Sequence, residues 1–335
     1  MTVWEPLPTI RAMHLTCTWP GQLDATLVSD AIRSHLERAE PCAVHSIFKS
    51  VLNIETRSGL ITIGGPSVGP LPHGLRISRE IPFQSMGLRP GQHVILEQHR
   101  IRIPSCNIEI DLTGAVLWSP RLPIINHYLA QARWRDRAWE MRRLVAAAVR
   151  ARPGAEDGLG ALIDLDRSVP LGAVARIAGP RLERLAEAVR AADPIAAGLA
   201  AESLVGLGPG LTPSGDDALV GMAAAVTAMA APGTLDATFL GRVADAAPTR
   251  TTIVSATFLR HASAGQFSAG LHQLLGVLIG PDPSDAAATI ERCVAYGATS
   301  GTDTLVGVVM GLDALATAVP YRPGVPVPDW VRSAA

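Results

Sequence analysis

The chain has 335 residues, 48% of them hydrophobic and 18% charged. That composition excludes intrinsic disorder and supplies more apolar mass than one core usually organises, so two domains are expected. A formal net charge of -1 offers no field to attract nucleic acid or an anionic membrane.

The N-terminus, Met1 to Pro6, has no basic stretch followed by an apolar run, so no signal peptide is expected. The longest apolar stretch, 218–231, is shorter than the roughly 20 residues a bilayer requires. Cys17, Cys42, Cys106 and Cys293 form no CxxC pair and read as reduced thiols, not as a zinc site or disulfide framework. The chain therefore reads as cytoplasmic, with no membrane and no nucleic-acid partner.

Strand signals dominate up to about residue 125. Short apolar or alternating runs at 44–54, 60–63, 93–96, 101–103 and 108–112 are separated by Gly, Pro and Ser clusters, which predicts a small antiparallel sheet or barrel. The stretch 64–74 is a turn-rich loop. It contains a GxSxG match around Ser67, but Pro70 and Pro72 follow where a nucleophile elbow needs a helix. Lys49, the only lysine in the chain, lies beside Asn53 in the first strand region.

Helical periodicity takes over after residue 125. The spacing predicts helices over 127–152, 181–192, 194–204, 217–230, 252–264, 269–278, 285–296 and 304–318. In the first of these, Leu129, Trp139, Leu144 and Val145 count as apolar positions, and Arg133, Arg135 and Arg137 as a solvated face. His261 reads as a structural histidine, and the proline-rich segment 320–328 as an extended tail. The fold class is thus α+β, with a β-rich unit over 1–125 and a helical unit over 126–335.

The most informative run is GLGPGLTPSGDD at 206–217. Gly206, Gly208 and Gly210 let the backbone turn sharply and approach a ligand. Thr212 and Pro213 read as N-cap and first helical residue. The free N–H groups of the turn, from Gly208, Gly210 and Leu211 through Thr212, Ser214 and Gly215, favour an anion or a carbonyl oxygen. Asp216 and Asp217 would repel bare phosphate, but accept N–H donors or hold a magnesium ion, the one cofactor these residues suggest. A ureido group offers both an oxygen and N–H donors. The run is neither a Walker A loop nor a Rossmann fingerprint.

Ser214 to Gly221 recurs as Ser300 to Gly307, matching at six of eight positions 86 residues apart. One explanation is a pair of capping boxes, with Ser at the cap and Asp three residues later. The other is a shared site. Gly221, Ala224, Gly307 and Gly311 suit close helix packing, so Asp217 and Asp303 are expected to converge on one cavity. The hydroxyls of Thr251, Thr252 and Ser255 at a helix start exceed what one cap needs.

These motifs resemble those of the AllH-type family. The resemblance rests on the 206–217 run, on Ser46, Phe48 and Asn53, and on Thr251, Thr252, Ser255 and Ala256; it covers roughly residues 40–320. It implies a subunit of an oxamate carbamoyltransferase. That enzyme converts oxalurate and phosphate to oxamate and carbamoyl phosphate, together with two other subunit types, in anaerobic allantoin and purine breakdown. The candidate residues are then Asp216, Asp217 and Lys49 for catalysis. Gly208, Gly210, Leu211, Thr212, Ser214, Gly215, Asn53, Thr252, Ser255, Ser300 and Asp303 are the candidates for substrate binding. Partners would be the ureido substrate, phosphate, companion transferase subunits and further copies of the chain. The residues also leave open a non-catalytic metabolite-binding subunit, or a stand-alone lyase or cyclase acting on a ureido or guanidino amino acid.

Overall fold

The computed structural model describes residues 22–37, 40–123, 126–154, 157–163, 170–231, 235 and 237–318. Cys17, the first six residues and the segment 320–328 lie outside them.

Nine strands come first: β1 Gln22–Ser29, β2 Cys42–Ile47, β3 Val51–Thr56, β4 Gly59–Gly64, β5 Gly74–Ile77, β6 His93–Glu97, β7 Arg100–Ile103, β8 Ile108–Asp111 and β9 Val116–Trp118. Their order is β5-β4-β3-β2-β6-β7-β8-β1-β9, and β5 also pairs with β1. Eight strands therefore close into a ring, which removes free sheet edges, and β9 extends it. β1 accomplishes the closure by changing neighbours. Its Gln22 to Asp24 pair with β8, and its Leu27 to Ser29 pair with β9.

The sheet is mixed rather than antiparallel. β4–β5, β1–β8 and β1–β9 all run parallel. The expected single run over 44–54 is a hairpin, broken at 48–50 and registered through Ser46↔Asn53 and Ile47↔Leu52. Alternation sends Leu52, Ile54, Ile61, Ile63, Ile101, Ile103 and Ile110 into one core. β4 departs from alternation because both of its faces are covered; Leu60 and Thr62 are buried as well.

Ten helices are described: α1 Arg33–Leu36, α2 His127–Arg150, α3 Ala173–Arg190, α4 Pro194–Glu202, α5 Ser214–Met229, α6 Gly241–Arg250, α7 Ile253–Ser263, α8 Ala269–Ile279, α9 Ala286–Val294 and α10 Ser300–Ala318. α2 to α10 share a second core, with α5 and α10 at its centre. α3 begins eight residues before the expected start at 181, because Pro180 and Gly179 sit inside it. α6 went unforeseen and carries Pro248.

Two expectations for α2 are corrected. Trp139 is 68% exposed, and the buried tryptophan is Trp134, whose Nε1–H donates to Asp313 at 3.0 Å. Arg133 and Arg137 are not merely solvated. They donate to the carbonyls of Ile279, Gly280 and Pro281, supplying donors and positive charge at the C-terminus of α8.

The two cores meet along α7. The Leu60 N–H of β4 donates to the Thr257 hydroxyl at 3.2 Å. A Cβ on Gly59 would come within 2.9 Å of that hydroxyl, so only glycine fits at this crossing. His73 packs edge-on against Phe258 and stacks on His261 at 5.5 Å. Among the described residues, no helix is long and apolar enough to cross a membrane. Cys42, Cys106 and Cys293 are free thiols.

Candidate functional site

The Gly-rich run is a loop that ends at Ser214, the first residue of α5. Gly206, Gly208 and Gly210 all have positive φ, at 71°, 120° and 97°, which is the conformation glycine supplies without strain. Their surroundings differ. A Cβ on Gly206 would collide with the Arg250 carbonyl, and one on Gly208 would lie 2.8 Å from the Ser214 nitrogen. At Gly210 nothing lies within 4 Å, so its backbone faces open space.

Helix capping differs from expectation. Pro213 is the N-cap and makes no side-chain cap bond. Thr212 does not cap the helix; its hydroxyl lies 2.7 Å from that of Ser300. Ser214 sits inside the first turn, so α5 has no capping box.

Asp216 is the tether of the loop. Its Oδ1 accepts from the Gly206 N–H at 2.9 Å, and its Oδ2 accepts from the hydroxyls of Thr251 and Ser255. Thr252 caps α7 by accepting from the Ser255 N–H, and donates to the Leu211 carbonyl. All three hydroxyls of the Thr251 to Ser255 element thus have structural partners. They fasten the Gly-rich loop to α7, and through α7 to the sheet. Burial raises the Asp216 pKa, and its three hydrogen bonds partly offset this.

α5 and α10 run side by side and parallel. A Cβ on Gly221 would meet Thr304, and a Cβ on Gly307 would meet Ala218, in both cases at backbone atoms. These contacts are reciprocal, each the other displaced by the same 86 residues. The polar residues repeat the exchange. The Ser214 hydroxyl contacts the Asp303 carboxylate, and the Ser300 hydroxyl contacts the Asp217 carboxylate. The echo in sequence is therefore a pseudo-two-fold pair of helix starts, and Asp217 and Asp303 do converge.

Asp303 is 0% exposed, and its Oδ1 accepts from the Leu159 N–H at 2.6 Å. Asp217 is only partly buried, on the outer side beside Tyr296. Burial raises both pKa values, and the charge of Asp303 pushes Asp217 further up. Oδ2 of Asp217 and Oδ2 of Asp303 are both buried without a hydrogen-bond partner. The exposed side chains of Leu211 and Tyr296 flank the opening.

The structure does not bring Lys49 or Asn53 to this loop. Lys49 occupies the turn between β2 and β3, and its carbonyl accepts from the Phe83 N–H. It lies at the far end of β3 from the α7 contact, about 20 Å along the strand. Asn53 is buried in a sheet network, donating to Ser46 and accepting from Thr62. Among the described residues, no group of three or more His, Cys, Asp or Glu is placed to hold a metal ion. Leu159, Thr299 and Tyr296 were missed from sequence. The one available signal was Gly158-Leu-Gly160, which repeats the Gly206-Leu-Gly208 pattern.

A closed mixed sheet, joined through one helix to a bundle with a pseudo-two-fold pair of helix N-termini, defines a class of two-part α+β protein with a buried carboxylate pair. No solved structure matches the chain. The chain belongs to the AllH family. The model for the family N-terminal domain matches residues 22–117, and the model described as oxamate carbamoyltransferase subunit AllH matches residues 204–312. The first match coincides with the strands, and the second spans α5 to α10 with the loop and both carboxylates.

Proposed function

We propose that the chain is the subunit of a carbamoyl-transfer enzyme that holds the ureido substrate, at the loop between Gly208 and Asp217. The family description supports membership in an oxamate carbamoyltransferase. The observation that carries the reading further is the pair of buried carboxylate oxygens, on Asp217 and Asp303, that accept no hydrogen bond. They lie beneath a loop whose Gly210 faces open space. Carboxylates accept N–H donors and disfavour a bare phosphate, whereas the N–H groups at the two helix starts suit a carbonyl oxygen. A ureido group presents both. In this reading oxalurate and phosphate give oxamate and carbamoyl phosphate, and Asp217 faces the substrate. Asp216, Thr252 and Ser255 position the loop and do not touch substrate.

The hydrogen bonds holding the loop come from hydroxyls, a carboxylate and the backbone. No Lys or Arg side chain is among them in the described residues. This favours a companion subunit as the source of positive charge for phosphate. The test is to assay formation of carbamoyl phosphate from oxalurate and phosphate, using the purified chain alone and then together with its companion subunits. Transfer by the assembly and none by the chain alone is expected. An assembly that binds oxalurate equally well without this chain would refute the assignment.

A further inference from the structure

We propose that Asp217 and Asp303 share one proton, and that Asp217 delivers it to the amide nitrogen released during carbamoyl transfer. The identity of the leaving group rests on the carbamoyl-transfer reading; the shared proton rests on the geometry of the pair.

Four residues from the two helix starts form a crossed set. Ser214 contacts Asp303 and Ser300 contacts Asp217, while Gly221 and Gly307 bring the helix backbones together one turn further on. Each carboxylate keeps one oxygen, Oδ2, that is enclosed and accepts no hydrogen bond. Two enclosed acceptors and no donor is an arrangement that ionised carboxylates do not tolerate. No ion pair of the described residues includes either aspartate. A single proton resolves this: one carboxyl becomes a donor and its partner an acceptor, leaving one negative charge facing two helix N-termini.

The pair is asymmetric, and the asymmetry assigns the roles. Asp303 is wholly buried and anchored by the Leu159 N–H at 2.6 Å. Gly158 precedes that contact, and a Cβ there would lie 2.9 Å from Thr299 and closer to Asp303; the segment is pressed against the carboxylate. Asp217 is partly exposed. The charged and titratable groups around it are Asp303 on α10, Asp216 on α5 and Tyr296 ahead of α10. Tyr296 is 59% exposed, so this side of Asp217 is the side open to substrate. Asp217 is thus the catalytic acid and Asp303 a positioning residue that keeps it protonated.

The step balances. An oxygen of hydrogen phosphate forms a bond to the ureido carbonyl carbon. The bond from that carbon to the amide nitrogen breaks, and its electron pair goes to the nitrogen. The nitrogen takes the proton of the Asp217 carboxyl and leaves as a neutral amide. The proton carried by the attacking phosphate passes to the carboxylate pair and restores it.

Infrared spectroscopy of the full chain at neutral pH tests the shared proton without any variant. The wild type should show a neutral-carboxyl stretch that disappears as pH rises. Asp217→Asn and Asp303→Asn should each remove it, and Asp216→Asn should leave a band of the same pH dependence. In the assembly with companion subunits, Asp217→Asn should lower the transfer rate about 10²- to 10⁴-fold, the usual contribution of a general acid, with oxalurate affinity changing far less. Wild-type protein with no neutral-carboxyl band, but active transfer, overturns the shared proton and leaves the transfer reading intact. Transfer that survives Asp217→Asn overturns the delivery step. An assembly that shows the band but makes no carbamoyl phosphate overturns the transfer reading, and the delivery step with it.

Discussion

Replacing Gly307 by alanine should destabilise the protein, although helix propensity alone argues the reverse. In an exposed helix interior, Gly→Ala gains about 1 kcal/mol. At Gly307 the new Cβ would lie 2.8 Å and 2.9 Å from the carbonyl carbon and Cα of Ala218, and nearer still to its oxygen. Ordinary contact begins at 3.4 Å, and the obstacle is backbone, which cannot rotate away. α5 and α10 must then part by on the order of 1 Å, with loss of packing along the centre of the core. Overpacking typically costs about 1–3 kcal/mol and occasionally more. Because the clash is with backbone, the upper end applies, and the net loss after the propensity gain is about 2 kcal/mol. Urea titration of the wild type and Gly307→Ala measures it directly. Gly276→Ala is the internal control: Gly276 lies inside α8 with nothing within 4 Å of its Cβ position, so it should gain up to about 1 kcal/mol. A Gly307→Ala protein as stable as the Gly276→Ala protein would refute backbone contact between α5 and α10, and with it the crossed Ser–Asp geometry.

Asp216→Asn should cost about 2–3 kcal/mol of stability, because a carboxylate accepting from Gly206, Thr251 and Ser255 is replaced by an amide with one fewer acceptor. Thermal unfolding checks this, and an unchanged midpoint would remove Asp216 from its tethering role. Stability should also fall as pH drops below 6.5. His73 and His261 stack at the junction of sheet and α7, and burial holds both below the ordinary histidine value. A depressed folded-state pKa leaves stability intact above 6.5 and drains it as pH falls, because the unfolded chain takes up the proton first. The loss is about 1.4 kcal/mol for each unit of depression. In His73→Phe this dependence should shrink; equal acid sensitivity in the two proteins would place its origin elsewhere.

Sequence by itself determined the order of the fold. Alternation over 93–112 and helical spacing over 127–318 both follow from local periodicity, which depends on which face of an element is buried. It also exposed the Gly-rich run and its echo, because glycines at 206, 208 and 210 answer a local backbone demand that no partner changes. Elements whose pattern is set by distant neighbours escaped. β5, with four residues, reads as loop until β1 and β4 flank it. Trp139 matches the apolar pattern of α2, yet the packing of α2 on α10 buries Trp134 instead. At the site, Asp216 and Asp217 are adjacent and chemically identical, so sequence assigned them one role. Tertiary structure separated them: α7 brings Thr251 and Ser255 to Asp216, while α10 brings Ser300 and Asp303 to Asp217. Lys49 and Asn53 went the other way, joined to the site by motif but held by the sheet. Hydrogen-bond partners more than 30 residues apart in sequence decide whether a carboxylate is spent on structure or left with an unpaired oxygen, and only the fold places those partners.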